Sequence, residues 1–427
     1  MNLILISFVL LVNFLALYTG CRLGLLFFIA SMTLLPRQIG ISISDGAALS
    51  VNRILIIMFL FLVLMNLIKL KKLKFPFIEN DRDYNAAFGA ICIYFLVRIA
   101  ATLFLNSSGI FYAIEPAITF FVLWYYFRSS KNNLSVVHSY FKATCFFVAC
   151  FLLIEFFAQK NPLSVFYDES IAVTRESVAF LRDESYRFTA SFSNPLVLAQ
   201  FTSISLSYLL ISARKSYTSF FAFCVSSLIL YFLTWSRAFF LIQICIILLY
   251  FLGYLVSFKR VIRLVNKYLF VTIPIFFIIG IYLQQTTDTS YVVGQSSQNS
   301  FNSRVLQFSY ALNIFSASPF FGLGVSQNII ADFDEVGGVD SMWLRIFFES
   351  GLLGLAAFLI FIISLSRLLS ERSLQHGNYN LYFSFLCSFF WSFFIAIPHL
   401  FFIYFIFLFV GSHTVYRTRL FCIGNSA

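Results

Sequence analysis

The chain consists largely of apolar segments, each long enough to cross a lipid bilayer as a helix. About 30 Å of hydrocarbon requires roughly 17 to 25 helical residues. Of the 427 residues, 60% are hydrophobic and 11% are charged, so the polar surface is too small to cover the apolar mass in water. The sequence therefore predicts an all-α polytopic membrane protein and excludes a soluble globular domain.

The apolar windows follow one another along most of the chain. The segment from Leu381 to Val410 contains Pro398 in its middle, and it is best explained as two short spans. Counted in this way, the windows predict about 12 to 14 transmembrane helices. The other windows lie near residues 3–19, 22–36, 51–68, 87–105, 111–127, 136–158, 195–213, 219–234, 238–258, 268–283 and 346–366.

Lysine and arginine are grouped in short connections between the windows, and this grouping predicts the orientation. Cytoplasmic loops retain basic residues, so the opposite, periplasmic side receives the two long loops and most acidic residues. The net charge of +11 is explained by this topology, and no nucleic-acid partner is expected. The predicted regions are transmembrane helices in 1–158, 195–283 and 343–427, and long periplasmic loops with short helices in 159–194 and 284–342.

Three arginines near the predicted outer membrane boundary are candidates for binding an anion. Arg187 opens the segment RFTASFSNPLVLAQF, and its guanidinium could hold a phosphate with two parallel hydrogen bonds, or it could reach the lipid headgroups. Arg237 lies in LTWSRAFFLIQ, between two spans, where an arginine costs up to roughly 2.5 to 3.5 kcal/mol. We interpret Arg237 as functional, with a positional anchor as the alternative.

Arg304 is the third candidate, at the predicted start of an amphipathic helix on the outer surface of the bilayer. Asn302 or Ser303 would cap that helix, so free N–H groups would add to the guanidinium in binding an anion. The alternative is a solvated charge in the first turn. The apolar positions of the predicted helix are Val305, Phe308, Leu312 and Phe315.

Carboxylates lie close to the membrane boundary in the segment SPFFGLGVSQNIIADFDEVGGVDSMWLRIFFESGLLG, which begins at Ser318. Charged groups at this depth usually belong to a site. Asp340 is a candidate base that accepts a proton from a hydroxyl group, or alternatively a helix N-cap. Glu349 is a second candidate base or an orienting partner of an arginine. Elsewhere, Arg98 and Glu115 lie near the outer ends of neighbouring spans and could pair with each other.

Several of these elements occur in a fixed order along the chain. They are Trp235-Ser236-Arg237, Asn302-Ser303-Arg304, the S-P-x-x-G-x-G element from Ser318 to Gly324, Val339-Asp340-Ser341, and the E-x-G-x-x-G element from Glu349 to Gly354. This series resembles the O-antigen polymerase and ligase superfamily of bacterial inner-membrane glycosyltransferases, the Wzy-type proteins. The resemblance covers about residues 187–365.

The resemblance implies a donor oligosaccharide linked to undecaprenyl pyrophosphate and used at the periplasmic face of the inner membrane. Arg187, Arg237 and Arg304 would bind the pyrophosphate, and Asp340 and Glu349 would be catalytic. Ligase members tend to have a histidine at the position of Asp340, which favours a polymerase over a ligase. A transporter or flippase is the third alternative.

The resemblance also defines the expected partners. They are the lipid-linked donor and acceptor, membrane lipids and a chain-length regulator. The arginines would replace a metal ion, so we expect no metal ion and no other cofactor.

Overall fold

The computed structural model describes residues 2–19, 21–36, 39–44, 47–70, 81–105, 107–129, 133–166, 181–182, 185–192, 194–210, 217–286, 296–325, 341–377, 379–394 and 401–411. Most of these residues are helical. The α-helices are α1 Asn2–Thr19, α2 Cys21–Leu34, α3 Val51–Leu70, α4 Arg82–Leu105, α5 Ile110–Ser129, α6 Asn133–Ala158, α7 Pro195–Leu210, α8 Tyr217–Thr234, α9 Arg237–Leu252, α10 Phe258–Tyr268, α11 Thr272–Thr286, α12 Ser296–Ala317, α13 Met342–His376, α14 Asn380–Trp391 and α15 Phe401–Gly411.

Several helices are long and apolar enough to cross a membrane, as expected for a multi-pass membrane protein. Within the described ranges, five continuous helical stretches meet this condition: Arg82–Leu105, Ser107–Phe127, Leu134–Ala158, Arg237–Tyr282 and Met342–His376. Shorter apolar helices lie at most of the other predicted windows. The all-α membrane class is therefore supported, whereas the number of about 12 to 14 crossings stays a prediction.

Two short hairpins depart from the purely helical prediction. Strands β1 (Gly40–Ser44) and β2 (Ala47–Ser50) pair antiparallel between α2 and α3. The intervening sequence Asp45-Gly46 favours a tight hairpin turn. In the first long loop, the described residues form a 3-10 turn at Ser164–Phe166 and a minimal hairpin of β3 (Leu181–Arg182) and β4 (Ser185–Tyr186).

Helices α4 and α13 form the centre of the bundle and run antiparallel. An ion pair joins Arg98 to Glu349 near one end, and another joins Asp81 to Arg372 near the other. Tyr94 lies between the pairs and packs on Phe358 of α13. We call the end with Arg98 and Glu349 the outer end, and the end with Asp81 and Arg372 the basic end, since it lies beside the basic clusters.

The basic end includes α10, which connects α9 to α11. Its side chains Phe258 and Ile262 are buried, whereas the basic residues of the same helix are exposed. Ser366 of α13 donates a hydrogen bond of 2.7 Å to the side chain of Asn266, which fixes α10 against the central helix. This amphipathic pattern agrees with a helix at a membrane surface.

Candidate functional site

The side chain of Arg187 contacts the turn that contains Arg237. Arg187 Nε donates a hydrogen bond of 2.8 Å to the carbonyl oxygen of Thr234, the last residue of α8. The N–H group of Phe188 donates to the carbonyl oxygen of Leu233 at 3.1 Å. Helices α7 and α8 lie between Arg187 and Arg237 in the sequence. The fold thus brings two of the three predicted pyrophosphate-binding arginines to one turn.

The segment after Arg187 is held by a buried carboxylate on α6. Glu155 accepts hydrogen bonds from the N–H and hydroxyl groups of Thr189 at 2.9 to 3.1 Å and from the N–H group of Ala190 at 2.5 Å. Asn161 donates to the Thr189 hydroxyl at 2.6 Å. Because Glu155 is fully buried, these bonds satisfy a charge that would otherwise be costly. Glu155 therefore fixes the loop that positions Arg187.

Arg237 lies at the first position of α9 and is exposed. The turn before it consists of Trp235, which has a φ of 48°, and Ser236, whose hydroxyl accepts a hydrogen bond from the N–H of Phe239 at 3.2 Å. Ser236 thus caps the start of α9. The guanidinium of Arg237 lies at this helix N-terminus, where the helix dipole also favours an anion. The turn is therefore a candidate anion-binding surface.

Helix α12 differs from the prediction in its start and in its buried face. It begins at Ser296, so Arg304 lies more than two turns inside the helix, and the predicted caps Asn302 and Ser303 are wrong. The first turns are polar and show no apolar period, which explains the late predicted start. The free N–H groups of the helix start therefore do not lie beside Arg304, which lies within α12.

The buried face of α12 contacts other helices. Val305 and Phe308 are buried as predicted, whereas Leu312 and Phe315 are 38% and 49% exposed. The ring of Phe308 packs on Phe276 of α11. Phe308 also belongs to an apolar cluster that includes residues of the first turns of α13. Helix α12 is thereby attached to the start of α13.

The two glycine motifs meet at a break in α13. Gly351 has φ 61° and ψ −159°, which interrupts the helix. The N–H of Leu323 donates to the carbonyl oxygen of Phe348 at 2.8 Å, and the N–H of Leu352 donates to the carbonyl oxygen of Pro319 at 2.9 Å. The S-P-x-x-G-x-G segment therefore supplies the backbone partners that the broken helix lacks.

Glycine is required on both sides of this junction. A Cβ atom on Gly351 would lie 2.4 Å from the backbone carbonyl group of Phe320. A Cβ atom on Gly322, which has a φ of 69°, would lie 2.5 Å from the carbonyl oxygen of Phe348. Both distances are far below van der Waals contact, so the motifs are explained by the close approach of two backbones.

Glu349 is held between two arginines at the outer end. Its Oε2 lies 2.9 Å from both Nε and Nη2 of Arg98, and its Oε1 lies 2.8 Å from Nε of Arg345. The side chains of Arg98, Glu349 and Arg345 are 4%, 10% and 28% exposed. A carboxylate engaged by two guanidinium groups is a weak base, so this geometry fits the alternative in which Glu349 orients an arginine.

The predicted pairing of Arg98 with Glu115 is wrong. Arg98 turns toward α13 and pairs with Glu349, whereas Glu115 Oε2 lies 3.2 Å from Arg53 Nε on α3. Both carboxylates lie near the outer end, and the partner choice is decided by which helix face each side chain occupies. Sequence spacing does not contain that information.

Asp340 lies outside the described residues, as does the side chain of Arg304. Their predicted roles therefore stay predictions, together with the roles of Arg187 and Arg237. Sequence reasoning missed Arg345 and Glu155. Arg345 had a signal, because it lies four residues before Glu349, at the spacing of an ion pair on one helix face. Among the residues that the structure describes, no cluster of histidine, cysteine and acidic residues could hold a metal ion.

Comparison with known proteins supports the order of motifs. The family model Wzy_C, described as O-antigen ligase, matches residues 203–359. This range begins in α7 and ends in α13, and it contains the Arg237 turn, α12 and the glycine junction. No curated protein matches the chain in sequence. The match confirms the resemblance inferred from the motifs, since residues 203–359 are similar to the O-antigen ligase family.

Proposed function

We propose that the protein is a polymerase that joins oligosaccharide repeat units linked to undecaprenyl pyrophosphate at the periplasmic face of the bacterial inner membrane. The observation that supports this most directly is the contact between Arg187 and the turn that contains Arg237. The superfamily and the membrane-spanning helices make a lipid-linked glycan the appropriate class of substrate. The aspartate at position 340, where ligases tend to have histidine, favours polymerisation.

The chemistry requires a stabilised leaving group and an activated acceptor. The acceptor hydroxyl oxygen attacks the anomeric carbon of the donor, and the bond from that carbon to the phosphate oxygen breaks. The departing pyrophosphate gains negative charge, and preoriented guanidinium groups stabilise this charge more in the transition state than in the ground state. Arg187 and Arg237, with Arg304, would supply this stabilisation.

Asp340 would accept the proton of the attacking hydroxyl. Attack from the side opposite the leaving group inverts the configuration at the anomeric carbon. The arginines supply the positive charge that a metal ion supplies in other transferases, so this mechanism requires no metal. A polyprenyl carrier keeps the pyrophosphate at the membrane surface, so the proposed site must lie at that surface.

The test uses the purified full-length protein in detergent with purified lipid-linked repeat units. We expect a ladder of longer lipid-linked glycans from the wild type, and about a 100-fold slower reaction from Arg237→Ala, since one strong donor contributes roughly 3 kcal/mol. Arg260→Ala, which removes an exposed arginine at the basic end, is the matched control and should leave the ladder unchanged. Wild-type ladders from Arg187→Ala, Arg237→Ala and Arg304→Ala would contradict the assigned roles.

A ligase is the second candidate, because the matching family model is described as O-antigen ligase. The same assay separates the two functions. Growth of lipid-linked chains without any other acceptor supports the polymerase. Transfer only after lipid A core or an acceptor protein is added supports the ligase.

A further inference from the structure

Two contacts fix the orientation of α10 at the basic end. At the start of the helix, the ring of Phe258 packs on Tyr250 of α9 and stacks on Tyr379, with centroids 5.3 and 5.0 Å apart. Toward the other end, the hydrogen bond from Ser366 to Asn266 attaches α10 to α13. Because the protein holds both ends of α10, each side of this helix faces its surroundings in one orientation.

A row of basic side chains runs along α10 beside its buried face. Phe258 and Ile262 are four residues apart and buried. Each is followed in sequence by a basic residue, and Lys259, Arg263 and Lys267 repeat at the same spacing and are all exposed. Residues four apart lie on one side of a helix, so these three charges share one side of α10. We call Lys259, Arg263 and Lys267 the basic row.

The charges of the basic row are not neutralised by the residues that the structure describes. Helix α10 contains no acidic residue. Within the described ranges, no side chain of the basic row forms an ion pair with a carboxylate. Lys267 Nζ lies 5.2 Å from the centroid of the Tyr268 ring, a contact that leaves its charge unchanged. Like charges four residues apart on a helix repel each other, so the row favours a shared anionic partner.

Exposed apolar side chains lie close to the basic row. Leu264 and Tyr268, each one residue after a member of the row, are 62% and 52% exposed, and Leu255 just before the helix is 63% exposed. Such a combination of basic and apolar groups fits the boundary between lipid headgroups and acyl chains. A phospholipid offers both a charge and an apolar chain, whereas a soluble phosphate offers only the charge.

We propose that the basic row and Leu264 form a binding surface for a phospholipid with an anionic headgroup, in the leaflet that faces the basic end. The basic row contacts the headgroup phosphate, and Leu264 contacts the acyl chains. Each basic side chain close to an anionic lipid surface strengthens the binding. The length of α9 separates this surface from Arg237, so the lipid binding does not depend on the proposed function.

The binding test uses the purified full-length protein in a neutral detergent, with phosphatidylglycerol or phosphatidylcholine added, and measures bound lipid by native mass spectrometry. The wild type should bind phosphatidylglycerol more tightly than phosphatidylcholine. The variant Lys259→Gln/Arg263→Gln/Lys267→Gln should bind phosphatidylglycerol about tenfold more weakly or worse, because the charges that attract the headgroup are lost. Wild-type affinity for phosphatidylglycerol in this variant overturns the proposal.

A matched control separates the basic row from the net charge of the protein. Arg22→Gln/Arg82→Gln/Lys142→Gln removes the same charge from exposed residues on three other helices. This variant should change the affinity for phosphatidylglycerol by less than about twofold, because screening confines the attraction to nearby charges. A loss equal to that of the basic-row variant would show that only the net charge matters, and it would overturn the surface.

Two further variants test the charge and the apolar contact separately. Lys259→Arg/Arg263→Lys/Lys267→Arg keeps all three charges, so its affinity for phosphatidylglycerol should stay within about threefold of the wild type. Leu264→Ser also keeps the charges but should weaken binding about threefold to tenfold, because an apolar contact is lost. A loss in the first variant as large as that of the glutamine variant overturns the electrostatic basis. Unchanged affinity in Leu264→Ser overturns the acyl-chain contact.

A stability measurement checks the same surface without counting bound lipid. A ligand that binds only the folded protein raises its unfolding free energy, so added phosphatidylglycerol should stabilise the wild type more than the glutamine variant. The contacts of Phe258 and Asn266 are unchanged in that variant, so both proteins should unfold alike when no lipid is added. Equal stabilisation of both proteins by phosphatidylglycerol overturns the proposal. Displacement of the lipid by an equal concentration of glycerol phosphate would identify a soluble anion as the ligand and overturn the lipid assignment.

Discussion

The ion pairs at the two ends of α4 and α13 differ in how many arginines contact the carboxylate. At the basic end, Arg372 Nη2 lies 2.7 Å from Asp81 Oδ2, and Asp81 also accepts a hydrogen bond from the N–H of Tyr84 at the start of α4. One carboxylate meets one guanidinium, and the carboxylate also serves as a helix cap. At the outer end, Glu349 is shared by two guanidinium groups.

This difference predicts that substitutions at the outer end cost more stability than substitutions at the basic end. At the basic end, one carboxylate meets one guanidinium, and the carboxylate has a second hydrogen-bond donor. At the outer end, one buried carboxylate joins two arginines close to the glycine junction. Removing one partner of a buried ion pair leaves an uncompensated charge, which is strongly destabilising.

Removing the buried arginine at the outer end should have the largest effect on stability. Arg98→Met leaves Glu349 buried with one of its two partners lost, and we expect a loss of about 3 to 5 kcal/mol of unfolding free energy. Unfolding in mixed micelles with a rising fraction of dodecyl sulfate, followed by tryptophan fluorescence, measures this loss. The double variant Arg98→Met/Glu349→Met should recover a large part of it. A loss below about 1 kcal/mol in the single variant would contradict a buried pair.

The glycine at the helix break should be the next most sensitive position. Gly351 has backbone angles that are almost restricted to glycine, and its Cβ would overlap the backbone of Phe320, so Gly351→Ala should cost about 3 kcal/mol. Gly377 at the end of the same helix is the matched control, because it has a φ of 66° but no atom within 4 Å of an added Cβ. Gly377→Ala should cost only about 1 kcal/mol. Equal losses of unfolding free energy in the two variants would show that the close contact with the backbone of Phe320 does not contribute to the cost.

The pair at the basic end should show the smallest effect of the three. Arg372→Met removes a partly exposed partner, and Asp81 keeps its hydrogen bond with the N–H of Tyr84, so we expect a loss of about 1 to 2 kcal/mol. Glycan synthesis per folded molecule should not change. A loss of glycan synthesis as large as that of Arg237→Ala would contradict a purely structural role of the pair at the basic end.

The membrane class and the motifs were readable from the sequence because both depend on local patterns. Apolar windows of span length predict helices, and the ordered series of short motifs indicates the family resemblance. The helix face that each charged residue occupies was not readable. Arg98 and Glu115 lie on neighbouring predicted spans, which suggests a pair between them. The partner of Arg98 is instead Glu349, on a helix more than half the chain away in sequence.

The start of α12 illustrates a second limit. Its first turns contain serine, glutamine and asparagine, which favour loops and caps over helix interiors, so local preference placed the start near Ser303. Packing of the later turns on α11 and α13 stabilises the helix, which then extends back to Ser296. Contacts between distant segments, such as Arg187 with Thr234, are likewise decided by tertiary packing.

The junction at Gly351 constrains how the protein can be recombined with its relatives. The segment from Ser318 to Leu323 both donates to and accepts from the two halves of α13, so its length must match the gap in the helix. One inserted or deleted residue would shift these groups out of register and leave amides and carbonyls without partners in apolar surroundings. Chimeras that exchange outer loops for other specificities should therefore keep this segment with its own α13 and join the foreign sequence after Val325.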